Sequence, residues 1–140
     1  MKNILVLCTG NSCRSQMAEA WLKCYLDANH YTIYSAGVEA HGINPYMKKV
    51  VEESGLNIDN HTSNLMSEYD GLLFDIVITV CDNAKNNCPY FKDAVERLHH
   101  TFHDPANAEG TDEEKLKVYQ SVNKEIKDFC QKFSENLSIK

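Results

Sequence analysis

A chain of 140 residues, 43% hydrophobic and 24% charged, is sized for one domain, residues 1–140, with a real core. Its 14 basic and 20 acidic residues leave a net charge of -6 with neutral histidines, and no basic run is present to neutralise a phosphate backbone, which sets nucleic acid aside as a partner. The longest apolar stretches, residues 4–7 and 76–80, fall well short of the roughly 20 residues that cross a bilayer, and Met1-Lys2-Asn3 leads into a strand pattern and not into a signal peptide, so no membrane partner and a cytoplasmic location are expected.

Residues 3–7 (Asn-Ile-Leu-Val-Leu) are a continuous apolar run, the pattern of a strand buried on both faces of a parallel sheet. A polar loop follows, and from Ser15 the residues Met17, Trp21, Cys24, Tyr25 and Ala28 recur at helical spacing. Residues 31–35 read as a second strand, stopped by Ala36-Gly37. Asn44-Pro45 is a helix start, a capping side chain followed by proline at the first helical position, with Met47, Val50 and Val51 facing inward and Gly55 as the stop. The β-branched run at residues 74–80 (Phe-Asp-Ile-Val-Ile-Thr-Val) is the strongest strand and ends at Cys81. A short polar passage leads to Cys88-Pro89, residues 98–102 are read as a fourth strand, and Asp104-Pro105 follows. Thr111-x-x-Glu114 is a capping box that opens a long closing helix with Leu116, Tyr119, Val122, Ile126, Phe129, Cys130 and Phe133 on one face.

Strands alternating with helices predict an α/β fold, a three-layer αβα sandwich with a central, mostly parallel four-stranded sheet. Ligands of such sheets bind beyond the carboxyl ends of the strands, where this order of elements puts Cys8, Cys81 and Asp104. Six cysteines in a cytosolic chain do not make a disulfide framework. Cys24 and Cys130, on apolar helix faces, are assigned to packing. Cys8, Cys13, Cys81 and Cys88 stand in or beside polar loops at strand ends and call for another account.

Cys8 and Arg14 are separated by Thr9-Gly10-Asn11-Ser12-Cys13. A loop of this length between strand and helix can turn successive backbone N–H groups inward around a tetrahedral oxyanion at the positive end of the helix. Gly10 permits the curl, Arg14 grips the anion with its planar fork, and the same field favours the thiolate of Cys8. Asn11 and Ser15 are suited to hold the loop and bond the Cys8 sulfur, and Cys13 serves through its backbone. The bland alternative is a glycine-containing turn with a buried cysteine; the flanking strand and helix favour the oxyanion site.

Three motifs in order, C-T-G-N-S-C-R-S (residues 8–15), T-V-C-D-N-A-K-N-N-C-P (residues 79–89) and D-P-A (residues 104–106), carry a resemblance. S-A-G (residues 35–37), H-G-I-N-P (residues 41–45) and N-H-T-S (residues 60–63) extend it over nearly the whole chain. The chain resembles the thioredoxin-coupled arsenate reductases built on the low-molecular-weight protein tyrosine phosphatase fold. The resemblance implies that Thr9, Gly10, Asn11, Ser12, Cys13, Arg14 and Ser15 bind arsenate, with phosphate or sulfate as competing oxyanions. It implies that Cys8 is the nucleophile, that Asp104 is the general acid, and that Cys81 and then Cys88 carry a disulfide outward to thioredoxin, without a bound redox cofactor. Gln16 in place of proline and Ala106 in place of an aromatic residue point to the reductase branch and away from the phosphatases, as do the two extra thiols, since reduction needs two electrons and hydrolysis needs none.

Other readings remain, the runner-up that the resemblance leaves being a low-molecular-weight protein tyrosine phosphatase that hydrolyses phosphate monoesters through a Cys8 phosphocysteine. Asp104-Pro105 also starts turns with no catalytic part. His99, His100 and His103 with Cys81 and Cys88 lack the paired spacing of a zinc site, and neighbours along a strand point to opposite faces, so no metal is expected. Some members of the family hold potassium through residues matching Asn11, Glu19 and Ser35 together with an aspartate; here Asn64 takes that last place, which weakens the pull on a monovalent cation. With no large apolar stripe left over, a monomer is expected.

Overall fold

The structure, a computed structural model, describes residues 1–80 and 90–139; Cys81 and Cys88 lie outside the described residues. Four strands, β1 (Lys2–Cys8), β2 (Tyr31–Gly37), β3 (Phe74–Thr79) and β4 (Ala94–His99), form one parallel sheet in the order β2-β1-β3-β4. Helices α1 (Arg14–Tyr25), α2 (Pro45–Glu53) and α3 (Asp112–Ile139) and two 3-10 turns, Met66–Tyr69 and Pro105–Asn107, complete the described chain. The α/β class and the parallel four-stranded sheet are as the sequence predicts.

Strand β1 can be central because past Lys2 and Asn3 it has no charged or amide side chain to keep wet: Ile4, Leu5, Val6 and Leu7 are all fully buried. Its alternation divides the core. Ile4, Val6 and Cys8 join Met17, Leu22, Met47, Val51 and Ile126 of the three helices, whereas Leu5 and Leu7 join Ala36, Phe74, Val77 and Phe91 on the opposite face. There Tyr34, Tyr69, Phe74 and Phe91 meet edge to face, the arrangement aromatic quadrupoles prefer. Each fully buried aliphatic side chain of β1 contributes about 1.5–3 kcal/mol, enough in sum to fix where the strand ends and hence where Cys8 stands.

Local signals set the helix starts. Asn44 caps α2 by accepting from the N–H groups of Tyr46 and Met47, with Pro45 at the first position. Thr111 Oγ1 accepts from the Glu114 N–H (3.2 Å) while the Glu114 carboxylate accepts from the Thr111 N–H (3.4 Å), the reciprocal capping box expected ahead of α3. Helix α1 differs: Cys13 at its N-cap makes no side-chain capping hydrogen bond.

Four expectations shift. The fourth strand lies at Ala94–His99, earlier than the predicted residues 98–102. It is an edge strand exposed over most of its length, so its charged residues hide the apolar pattern of a strand, while Phe102, which looked like strand, is buried in the helix-side core against Phe129. Strand β2 runs on through Ala36 and Gly37, paired with Leu7 and Cys8; Gly37 fits because a Cβ there would stand 2.5 Å from the Thr9 carbonyl oxygen. Cys24 is exposed, not packed, because the last turn of α1 rotates it out of the core, whereas Cys130 is fully buried as expected. Ala28, assigned to the same helical face, lies beyond the helix and is exposed.

Candidate active site

The loop from Thr9 to Cys13 leaves β1 and enters α1, and its carbonyls are drawn outward. Thr9 O accepts from Glu39 N–H, Gly10 O from His41 N–H and Ser12 O from Asn44 N–H, at 3.0–3.1 Å. Asn11 O accepts from the Ser63 hydroxyl (2.9 Å) and from Gln16 Nε2 (3.1 Å). In a trans peptide the N–H points opposite to the C=O of the same plane, so tying these four carbonyls to the flanking segments turns the N–H groups of Gly10, Asn11, Ser12 and Cys13 to the other side of the loop. The uncapped start of α1 adds its first-turn N–H groups. Loop and helix end together turn their N–H groups to one side, an arrangement chemically suited to an anion.

The residue in the left-handed region is Asn11 (φ 46°), not Gly10. Asparagine tolerates that region better than most side chains, and here its carboxamide is fastened at both ends: Oδ1 accepts from the Asn64 N–H (2.6 Å) and Nδ2 donates to Ser15 Oγ (2.8 Å). A Cβ on Gly10 would stand 2.5 Å from Nδ1 of the exposed His41 side chain, which can swing aside.

Cys8 ends β1, buried, with its sulfur 2.9 Å from Ser15 Oγ. Because Ser15 Oγ already accepts from Asn11, its own proton is free to be donated to the sulfur, an arrangement suited to an anionic nucleophile. Arg14 is buried at the first position of α1. Its Nη1 donates to the Phe102 carbonyl (3.1 Å) and its Nη2 lies 3.5 Å from Asp104 Oδ2. Two anchors leave the rest of its five-donor fork for an oxyanion. Asp104 starts the turn that Asp-Pro suggests, Oδ1 capping the 3-10 turn by accepting from Ala106 N–H (3.0 Å), while Oδ2 faces the buried arginine. Cys13 is a different thiol from Cys8. Burial, then the charges of Asp104 and Cys8, push its pKa well up, so it stays a neutral thiol with a structural part.

The structure thus brings Cys8, Arg14, Ser15, Asn11 and Asp104 to one corner; Cys81 and Cys88 lie outside the described residues. Sequence reasoning missed Phe102, Ser63 and His61 as supports of this corner and took Gln16 as a branch marker alone. His61 and Ser63 stand in the N-H-T-S motif that extends the resemblance but were given no role, and nothing in the spacing singles out Phe102. Gln16 carried a signal, since a fully buried glutamine next to such a loop must find several hydrogen-bond partners.

The residues matching a potassium site do not fit a resident cation here. Glu19 accepts from the Ser35 hydroxyl through Oε1 and from the Lys23 ammonium through Oε2, both at 2.5 Å, and Asn11 Oδ1 is engaged by Asn64. The chain supplies its own positive charge to that carboxylate. Among the described residues no three of His, Cys, Asp and Glu are grouped to hold a metal ion; His99 bonds Thr79 and Thr101, and His100 packs on Phe102 and Phe129. No helix among them is long and apolar enough to cross a membrane.

Residues 3–140 match the family described as low molecular weight phosphotyrosine protein phosphatase. The arsenate reductase of Bacillus subtilis (strain 168) is 46% identical over 134 residues, 96% of either chain. That of Shouchella clausii (strain KSM-K16) is 48% identical over 136 residues, again 96% of each. Among solved structures, an arsenate reductase in the phosphate binding state aligns with a TM-score of 0.79 at 28% identity, covering 97% of this chain and 98% of that one.

Proposed function

The chain belongs to the low molecular weight phosphotyrosine protein phosphatase family, in its arsenate reductase branch, and we propose that it reduces arsenate to arsenite through a relay of three cysteines regenerated by thioredoxin. The observation that carries the reading is the Cys8 sulfur, held by one hydroxyl donor at the base of an oxyanion loop whose arginine is anchored in place. Arsenate is gripped by the loop amides and Arg14. The Cys8 thiolate attacks arsenic, and one oxygen leaves as water with a proton from Asp104, giving a thiol-arsenate adduct. Cys81 thiolate then attacks the Cys8 sulfur: the S–S bond forms, the S–As bond breaks, and its electron pair stays on arsenic, which leaves as arsenite. Cys88 attacks Cys81, freeing Cys8 and moving the disulfide to the Cys81–Cys88 pair. The dithiol of thioredoxin returns two electrons by the same exchange chemistry.

Support comes from the identity to arsenate reductases along the whole chain, from Gln16 and Ala106 at positions where the phosphatases carry proline and an aromatic residue, and from two thiols in addition to the one hydrolysis needs. Phosphate and sulfate, tetrahedral like arsenate, compete for the loop. The test is arsenate-dependent NADPH consumption with thioredoxin and thioredoxin reductase, comparing the parent with Cys88→Ser. The parent turns over and the variant stalls after about one equivalent of arsenite. Neither consuming NADPH while both hydrolyse an aryl phosphate at equal rates would make the protein a phosphatase with two idle thiols.

A further inference from the structure

Behind the loop, on the side away from the anion, Gln16 and His61 make a buried polar pair that the reaction as written does not use. The Gln16 side chain is fully buried and makes four contacts: Nε2 to Thr62 O (2.9 Å), Asn11 O (3.1 Å) and Asn11 Oδ1 (3.3 Å), and Oε1 to His61 Nδ1 (2.9 Å). Two of the three groups at Nε2 are backbone carbonyls, which only accept, so the orientation of the amide is fixed. Oε1 must therefore accept, and His61 Nδ1 must carry a proton. Burial holds His61 to its neutral form, leaving Nε2 as its unprotonated nitrogen, on the side of Glu19 Oε2 (3.5 Å) and the Lys23 ammonium bound to that oxygen.

The next links are fixed in the same way. Asn11 Oδ1 accepts from a backbone N–H, that of Asn64, so Nδ2 is the atom facing Ser15, and the Ser15 proton is left for the Cys8 sulfur, which as a thiolate can only accept. Every donor in the series points the same way: His61 Nδ1–H to Gln16, Gln16 Nε2–H to Asn11, Asn11 Nδ2–H to Ser15, Ser15 O–H to sulfur. Aligned hydrogen bonds polarise one another, more so away from water.

From this series we infer that Gln16 is a positioning residue for the nucleophile, oriented by His61, and that the two raise the reactivity of Cys8 at neutral pH through Asn11 and Ser15 without touching substrate. The inference rests on Cys8 being the nucleophile, and it explains why a glutamine occupies this place: proline has no group to hold Asn11 in its left-handed conformation or to turn its amide toward Ser15.

Alkylation of Cys8 by iodoacetamide, followed on its own peptide by mass spectrometry, reads the sulfur with neither arsenate nor thioredoxin present, so its outcome is separate from that of the reductase assay. For Gln16→Met the Cys8 rate at about pH 7 falls roughly threefold to tenfold, while at about pH 10, where thiols are ionised regardless, it matches the parent. His61→Asn, whose Nδ2 can take the place of the ring Nδ1–H, keeps the parent profile, and His61→Phe follows Gln16→Met. Should Gln16→Met not fold, the His61 pair decides the matter. Parent-like rates in Gln16→Met or His61→Phe at both pH values would overturn the inference, and so would an equal loss in His61→Asn and His61→Phe, which would assign the effect to packing of the ring.

Discussion

The β1–α1 corner and the end of β4 meet at one site yet are built in opposite ways. Around Cys8 the side chains of Asn11, Ser15 and Gln16 are fully buried, each with several hydrogen bonds, and four loop carbonyls are tied down from outside. Beyond β4 the strand is exposed, and Asp104, with a side chain 30% exposed, is held by one backbone N–H and one long ion pair. The difference matches what each side has to do. In the proposed reaction the nucleophile side presents charge-stabilising groups that do not reorganise when the anion arrives, whereas Asp104, as the proposed acid, gives up a proton and lets oxygen leave, which needs contact with water. Arg14 joins the two, its backbone in the first turn of the buried helix and its guanidinium on Phe102 and Asp104.

Breaking that joint should have the largest effect. Lysine at position 14 keeps the charge but has no planar fork, so it cannot hold the Phe102 carbonyl, Asp104 and two anion oxygens together. Arg14→Lys is expected to lower kcat/KM for arsenate about a thousandfold, with most of the loss in KM. A loss under about tenfold would mean that the loop amides bind the anion unaided. Asp104→Asn tests the opposite side. Asparagine can still cap the 3-10 turn, as a capping side chain needs only an acceptor oxygen, so the fold stays intact while the proton is lost. Formation of the thiol-arsenate adduct slows about a hundredfold in single-turnover assays with little change in KM. A large KM effect would instead place Asp104 among the binding groups through its hold on Arg14.

This asymmetry also governs what the sequence revealed. The buried side was legible. An unbroken apolar strand, a C-x5-R loop and a helical repeat fix Cys8, Arg14 and Ser15 in order, and buried positions leave a periodic trace because water is excluded from one face or both. Its supports were not legible, since Phe102, Ser63 and His61 reach the corner from far along the chain, and long-range hydrogen bonds leave no local pattern. The exposed side was read with errors. β4 carries Glu96 and Arg97 in the strand itself, and an edge strand wet on most of its residues has no alternation to detect, so the fourth strand was placed several residues late. Cys24 misled for a related reason: a helix's last turn has few residues with which to tell an inward face from an outward one.

Stability should separate from chemistry at α3. The Thr111–Glu114 capping box is exposed, and its hydrogen bonds run between those two residues. Thr111→Ala is expected to cost about 1 kcal/mol in urea unfolding and to leave arsenate turnover and Cys8 alkylation as they were. A drop in turnover would show that the start of α3 helps to set the site, by way of the Tyr46 hydroxyl on Asp112 or the stacking of Tyr46 on Tyr119.

The smallest effect expected lies on the buried side and depends on pH. Burial lowers the pKa of His61, with Lys23 adding to the effect and Glu19 opposing it, so the folded protein keeps this ring neutral at pH values where the unfolded chain takes up a proton. The unfolded imidazole titrates near pH 6.5. Above that value neither state is protonated at this position and its contribution is constant. As the pH falls below it the unfolded state binds the extra proton and stability declines. Asparagine at position 61 keeps a donor for Gln16 but binds no proton, so the urea midpoint of His61→Asn should fall less steeply than that of the parent between about pH 6.5 and pH 5. Parallel slopes would mean that the folded protein protonates His61 as readily as the unfolded chain does, with the new charge settled on Glu19. The rigid corner would then tolerate a cation against Glu19 without loss.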